Sequence, residues 1–220
     1  MTNPTFYEQF GYIPGTFKGN SNLKPEEGLG WDVGVEKSFF GNGLIVDVTY
    51  FHQNLENEIA TVYNPDFTSS PVNRDGESRR QGVEVSATVD FFNGLTMTGT
   101  YTYTDATEQT VDGGPRLAEV RRPRHTGSLN AAYVFYENRA RVFAEAVLNG
   151  KMVDSVYAST LPPLVTLGSY TVINVGGSFK VNETVEIFGR IDNLFDRDYQ
   201  EVYGFNTPGL TAFSGLKATF

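Results

Sequence analysis

The 220-residue sequence contains no cysteine. That excludes structural disulfides and thiolate zinc sites, and is compatible with an oxidising compartment without establishing one. Histidine is scarce too: His52 and His125 stand far apart on different predicted strands. A histidine-based triad or metal centre needs partners that the pattern places beside neither. No run of about 18 apolar residues occurs, which excludes a transmembrane helix. Basic residues are in deficit, 17 Lys and Arg against 26 Asp and Glu, for a net charge of −9. Nucleic-acid binding needs a basic face, so the balance argues against that class. The opening MTNPTFYEQF has neither a basic nor an apolar signal region, so no secretory leader is read there.

What the chain does have is aromatics, glycine and alternation. Aromatics make up 14% of it, with 17 Phe and 12 Tyr beside 23 Gly. Val83, Val85, Ala87, Val89 and Phe91 are apolar, and Glu84, Ser86, Thr88 and Asp90 between them are polar. Leu95, Met97, Gly99, Tyr101 and Tyr103 then alternate with five threonines, Thr96 to Thr104. Period two marks a strand with one apolar face. The same rhythm predicts strands over 29–39, 44–54, 80–91, 95–105, 124–135, 139–149, 169–179, 185–194 and 211–220, about nine in all. In the eighth, Val185, Ile187, Gly189 and Ile191 oppose Glu186, Arg190 and Asp192, with Phe188 the exception. In the ninth, Leu216, Ala218 and Phe220 oppose Gly215, Lys217 and Thr219. A strand of roughly 10 residues, tilted about 40°, climbs about 25 Å, the height of an outer-membrane apolar band. The slightly negative mean hydropathy fits a barrel in which half the strand residues face water.

The connections alternate in length. FGNG after Phe39, NG after Phe92, YEN after Phe135 and VNET after Lys180 are tight turns; 55–79, 106–123, 150–168 and 195–210 are long. Short turns at one end and long loops at the other are the outer-membrane pattern, the short ones periplasmic. Phe39, Phe91, Phe135, Phe179 and Phe220 sit at short-turn ends and suit an inner aromatic girdle; Tyr50, Tyr101 and Tyr103 suit the outer one. The competing reading is the core of a large soluble sandwich. The fold predicted is all-β, an antiparallel transmembrane β-barrel portion whose meander ends at Phe220. Residues 28–220 hold its strands. Residues 1–27 are read as an extracellular loop, with the end of a preceding strand near Thr5–Phe10.

No catalytic, cofactor or metal constellation is read. Asp105, Glu108 and Asp112 share a loop with Gly113 and Gly114, but without EF-hand spacing they read as a solvated acidic loop. Arg116, Arg121, Arg122 and Arg124 cluster at the loop end of the fifth strand. Arginine binds phosphate bidentately, so lipopolysaccharide contact by Arg116, Arg121 and Arg122 is one reading; a lumenal Arg124 with solvated neighbours is the other. Glu84, Asp90, Glu145, Glu186, Arg190, Asp192 and Lys217 are expected to pair in a wet interior. Asn193, Asp196, Arg197, Asp198 and Tyr199 are expected to satisfy backbone groups where the chain leaves the sheet.

Three stretches carry a family resemblance. NLFDRDY, then VYGFNTPG, then a closing strand ending in Phe, resembles the C-terminus of TonB-dependent outer-membrane receptors, in wording nearest those for vitamin B12 (cobalamin). Asn193, Leu194, Phe195, Asp196, Tyr199 and Gly209 are the matching positions. GNSNLKPE at 19–26 resembles the GNPNLKPE-type segment, with Ser21 in place of Pro, and RRQGVEVSATVDF at 79–91 resembles the recurring Gly-x-Glu strand. Leu210 departs from the pattern, since many relatives carry Arg after TPG. The resemblance implies the C-terminal part of a barrel of about 22 strands. It implies import of a scarce nutrient, cobalamin or an iron siderophore, in the outer membrane of a Gram-negative bacterium. It implies as partners a plug domain, TonB, a small nutrient ligand, outer-membrane lipid and lipopolysaccharide, with no nucleic acid, cofactor or enzymatic activity. Gly215, Leu216 and Phe220 would be the signal read during barrel assembly. The missing leader and the odd strand count, where bacterial barrels have even numbers, lead to the expectation of a fragment lacking its N-terminal part. A complete small porin-like channel with a tenth strand in residues 1–27, and a barrel enzyme, stay open as alternatives.

Overall fold

In a computed structural model, residues 1–156 and 164–219 are described. Nine long strands dominate: β1 (Glu27–Phe39), β2 (Leu44–Glu56), β3 (Ser78–Asp90), β4 (Leu95–Glu108), β5 (His125–Phe135), β6 (Ala140–Asn149), β7 (Tyr170–Lys180), β8 (Val185–Asp192) and β9 (Thr211–Ala218). They lie in one sheet in chain order, so each strand neighbours those before and after it in sequence. The registered pairs from β4–β5 through β8–β9 are antiparallel. This is the meander that alternating turns require. Phe220, expected to close the last strand, lies outside the described residues.

Several strands outrun their predicted ends on the long-loop side. β2 continues to Glu56, β3 begins at Ser78 and β4 continues to Glu108. Alternation of polarity marks only the part with one apolar face; backbone pairing continues beyond it, where both faces are polar. The long connections also carry structure of their own. Ile59–Tyr63 pairs antiparallel with Ser69–Asn73, and Met152–Ser155 with Leu164–Leu167. Leu117–Ala118 pairs with β4 at Thr107 and Glu108. Near the start, the expected strand end at Thr5–Phe10 is instead a helix, Phe6–Phe10. Thr5 and Glu8 form a reciprocal capping box, a spacing that starts helices.

The chain divides into two compact units. One comprises 1–32, 51–81 and 105–119. It contains the capped helix and a four-stranded sheet ordered Tyr12–Ile13, Phe17–Lys18, Ser69–Asn73, Ile59–Tyr63. Ion pairs thread it: Arg74 meets Glu108, Arg80 meets Glu119 at 3.0 Å, and Arg116 meets Glu77 at 3.6 Å.

The other unit comprises 33–50, 82–104 and 120–220. Its registers sort the side chains into two faces. Thr102 opposes Thr126, which opposes Asn149, which opposes Tyr170. Stepping by two from that row, one face collects Thr96, Thr98, Thr100, Ser128, Asn130, Glu145, Asn174, Arg190 and Asp192. The other collects Leu95, Met97, Leu129, Ala131, Val142, Ala144, Ile173, Val175, Ile187, Ile191 and Leu216. Thr88 meets Thr98 at 3.4 Å on the polar face, which turns Val83, Val85 and Val89 to the apolar one. On the polar face Asn174 donates to Glu145 at 2.9 Å, and Arg190 pairs with Asp192 and, at 3.8 Å, with Glu145. Three of the charges expected to pair in a wet interior therefore do so.

The β3–β4 turn depends on Gly94. Its φ is +91°, and an added Cβ would stand 2.1 Å from the Val134 carbonyl oxygen. The Val134 N–H in turn donates to the Gly94 carbonyl at 2.8 Å. Gly94→Val should therefore cost roughly 1–3 kcal/mol through backbone strain and a lost close approach. Urea unfolding of the refolded full-length protein measures it, and a midpoint equal to wild type would contradict this account.

Candidate functional site

The loop ends of β5 to β9 meet around Asp154, which is fully buried. Its Oδ1 accepts from Arg121 Nε at 2.7 Å and from the Ser155 N–H at 2.8 Å; its Oδ2 accepts from the Tyr203 N–H at 2.7 Å. The Arg121 N–H also donates to the Val153 carbonyl at 2.7 Å. One carboxylate thus ties together the connection before β5, the hairpin after β6 and the loop before β9. Burial works to raise its pKa, but the hydrogen bonds from Tyr203, Ser155 and Arg121 outweigh it and hold the carboxyl below its ordinary range.

The loop at 195–210 is organised from Asn193, just before it. Asn193 is 3% exposed and has φ 51°, a conformation asparagine tolerates better than most residues. Its N–H donates to Asn174 Oδ1 at 2.9 Å. Its amide donates to the Arg197 and Pro208 carbonyls at 3.0 and 3.3 Å, and its Oδ1 accepts from the Arg197 N–H at 2.8 Å. Asp196 accepts from the Leu210 N–H at 2.8 Å, and lies so near Gly209 that a Cβ there would come within 2.5 Å of the carboxylate. Tyr199 stacks on Tyr170 at 4.2 Å between centroids, and Tyr170 donates to Glu201 at 3.1 Å.

Two hollows flank these rings. A polar one of about 660 Å³ is lined by Ser169, Arg197, Gln200, Tyr203, Asn206 and Thr207 among others. A second of about 390 Å³ reaches the polar face at Asn174, Arg190 and Asp192. Tyr199 lines both. Together they offer hydroxyls, amides, the guanidinium groups of Arg190 and Arg197, the carboxylates of Asp192, Asp198 and Glu201, and aromatic faces to a ligand, at the loop end of a polar surface.

The other residues singled out from sequence are dispersed. Arg116 pairs with Glu77 and Arg121 with Asp154, while Arg122 and Arg124 also have partners. Asp105 and Glu108, read as sharing an acidic loop with Asp112, lie instead in β4, because backbone pairing runs on to Glu108, which Arg74 engages. His125 Nδ1 lies 2.7 Å from the Tyr101 hydroxyl, and His52 stacks on Trp31. Leu194 is half-buried, and Phe195 is exposed. Gly215 pairs in register with Phe188, whose ring occupies the space a Cβ would need, and Leu216 stands on the apolar face. Sequence reasoning missed Asp154, which belongs to no motif. It also passed over Asn174, a polar residue inside the apolar-looking TVINV.

The fold has close parallels among solved structures. The ferripyoverdine receptor of the outer membrane of Pseudomonas aeruginosa superposes with a TM-score of 0.72 at 17% identity, over 99% of this chain and 29% of its own. The ferric-catecholate import receptor Fiu of Escherichia coli K12 gives 0.70 at 21%, over 100% and 30%. The copper transporter OprC gives 0.75 at 17%, over 100% and 36%. This chain therefore spans about a third of the length of such proteins. Residues 1–194 match the family described as TonB dependent receptor-like, beta-barrel. With that match covering most of the sequence, and a meander of two-faced strands beneath it, the chain belongs to the TonB-dependent receptor β-barrel family.

Proposed function

We propose that this chain is the C-terminal barrel segment of an outer-membrane receptor that imports a scarce metal complex, an iron siderophore in the first instance. The observation that carries the reading is the two-faced meander, with an apolar face suited to hydrocarbon and a polar face ending at the tyrosine-flanked hollows. In a bilayer every backbone polar group must be paired, and among the described residues β1 and β9 are the terminal strands of the order and not neighbours of each other. Further strands of a larger barrel would satisfy both edges. The similar structures are a ferripyoverdine receptor, a ferric-catecholate import receptor and a copper transporter, which favours a metal chelate as cargo. Cobalamin, suggested by the wording of the terminal motif, is itself a metal complex and is the second cargo to test. The partners proposed are a lumenal plug, TonB, the imported chelate, and the lipid and lipopolysaccharide of a Gram-negative outer membrane.

Uptake by cells carrying the full-length receptor tests this. Radiolabelled ferric siderophore should enter saturably, and only in cells with a working TonB. Uptake of labelled cobalamin instead would reassign the cargo. A receptor whose uptake is indifferent to TonB, with defined single-channel conductance in bilayers, would overturn the reading in favour of a porin.

A further inference from the structure

The apolar face carries a dent near its short-turn end. Across it, Val142, Gly177, Gly189 and Ser214 stand opposite one another in a single row. The next row toward the turns holds Phe135, Ala140, Phe179, Ile187 and Leu216. On the other side stand Ala144, Val175 and Ile191. Two adjacent glycines thus sink a trough between ridges of large side chains, and Ala140 opens a notch between Phe135 and Phe179. The hollow measures about 580 Å³.

A cation stands against two of the rings that line the hollow, Tyr136 and Phe179. The Arg139 guanidinium lies 5.3 Å from the Phe179 ring centroid and 5.8 Å from that of Tyr136. It is fixed there by donating to the Lys180 carbonyl through Nε and Nη2, at 3.1 and 3.0 Å, and to the Val181 carbonyl through Nη2 at 2.7 Å. Nη1 is left without a protein acceptor among the described residues. Glu137, Glu183 and Glu186 occur at this end of the strands, and none of them lies within ion-pair distance of Arg139.

We infer that this is a binding site for one membrane phospholipid, resting on the membrane-barrel reading above. Its phosphodiester meets Arg139 at the aromatic girdle, and one acyl chain passes the Ala140 notch into the Gly177–Gly189 trough. The occupant follows from the chemistry: an apolar channel lying in the hydrocarbon-facing surface, with an arginine that has a free donor edge suited to phosphate stacked on two of its wall rings. Aromatic rings place that edge at headgroup level.

The test is native mass spectrometry of the full-length receptor, delipidated in mild detergent and titrated with dioleoyl phosphatidylethanolamine. Gly189→Leu fills the trough where the backbone allows it, since a Cβ there meets only the Phe213 carbonyl oxygen at an ordinary 3.6 Å. Wild type should bind one phospholipid above the background of detergent exchange. Gly189→Leu should weaken that binding by about tenfold, a change within the reach of a few displaced methylenes. Arg139→Gln should weaken it as well, with heat-modifiable mobility showing that both variants are folded. Equal binding by folded wild type and both variants overturns the site. Loss of a dimer rather than of lipid in Gly189→Leu also overturns it, giving the trough to a second copy of the receptor. A wild-type receptor that does not fractionate with outer membranes overturns the barrel reading, and this site with it.

Discussion

Asp154→Ala should release three loops at once. In the native protein the carboxylate is the shared acceptor for Arg121, Ser155 and Tyr203. Alanine leaves the Ser155 and Tyr203 N–H groups without that acceptor in a partly buried position, each costing up to about 1–3 kcal/mol if water does not replace it. Arg121 is 42% exposed and recovers much of its hydration, so the ion pair itself adds less than a fully buried pair would. A local loss of about 2–4 kcal/mol is the expected total. Hydrogen exchange on the full-length receptor reads it: the Ser155 and Tyr203 amides should lose protection by about tenfold or more, with amides in the middle of β5–β8 unchanged. Unchanged protection at Tyr203 would show that the loops are held by something else. The same carboxylate sets a pH dependence. Its pKa is lower in the folded protein than in an open one, so its contribution is complete above the ordinary carboxylate value of about 3.9 and is lost as pH falls through the depressed value. The loops should stay closed at neutral and mildly acidic pH and loosen only in stronger acid.

How much of this was legible follows from where polarity alternates. β3 and β4 could be read from Val83–Phe91 and Leu95–Thr104 because one face meets an apolar medium and the other does not. Their extensions to Ser78 and Glu108 were not legible, since the face-to-face contrast ends where both sides are polar. The hairpins Ile59–Tyr63 with Ser69–Asn73 and Met152–Ser155 with Leu164–Leu167 were hidden for another reason: IATVY and LVTL are short and carry apolar residues on both faces, so they show no alternation. The helix at Phe6–Phe10 was announced by Thr5 and Glu8, a signal outvoted by the proline and glycine around it. The site was half legible. The NLFDRDY stretch stood out, and its first asparagine proves to be a buried junction. Asp154 did not, because its three partners come from segments 33 to 49 residues away and from its own neighbour. No local spacing encodes that convergence.

Asn193 gives the sharpest separation of conformation from hydrogen bonding. Its side chain makes three bonds, two donated to the Arg197 and Pro208 carbonyls and one accepted from the Arg197 N–H. Its backbone sits at φ 51°, where a Cβ is unwelcome in most residues. Asn193→Ala loses both advantages. At about 1 kcal/mol per net hydrogen bond, plus about 1 kcal/mol for the left-handed backbone, the loss should reach roughly 3–4 kcal/mol. Asn193→Gly keeps the backbone at ease and loses only the bonds, so it should be the milder variant by about 1 kcal/mol. The loss should concentrate in the loop at 195–210, because the N–H of residue 193 still reaches Asn174 in either variant. Two measurements check it: hydrogen exchange at Arg197 and Leu210, and ligand affinity of the full-length receptor, since Tyr199 lines both hollows and Arg197 the larger one. Exchange should quicken more in Ala than in Gly, and affinity should fall in the same order. If Gly proves as damaging as Ala, the left-handed backbone carries no cost and the hydrogen bonds account for the whole effect. If neither variant changes exchange at Arg197, Asn193 does not hold the loop.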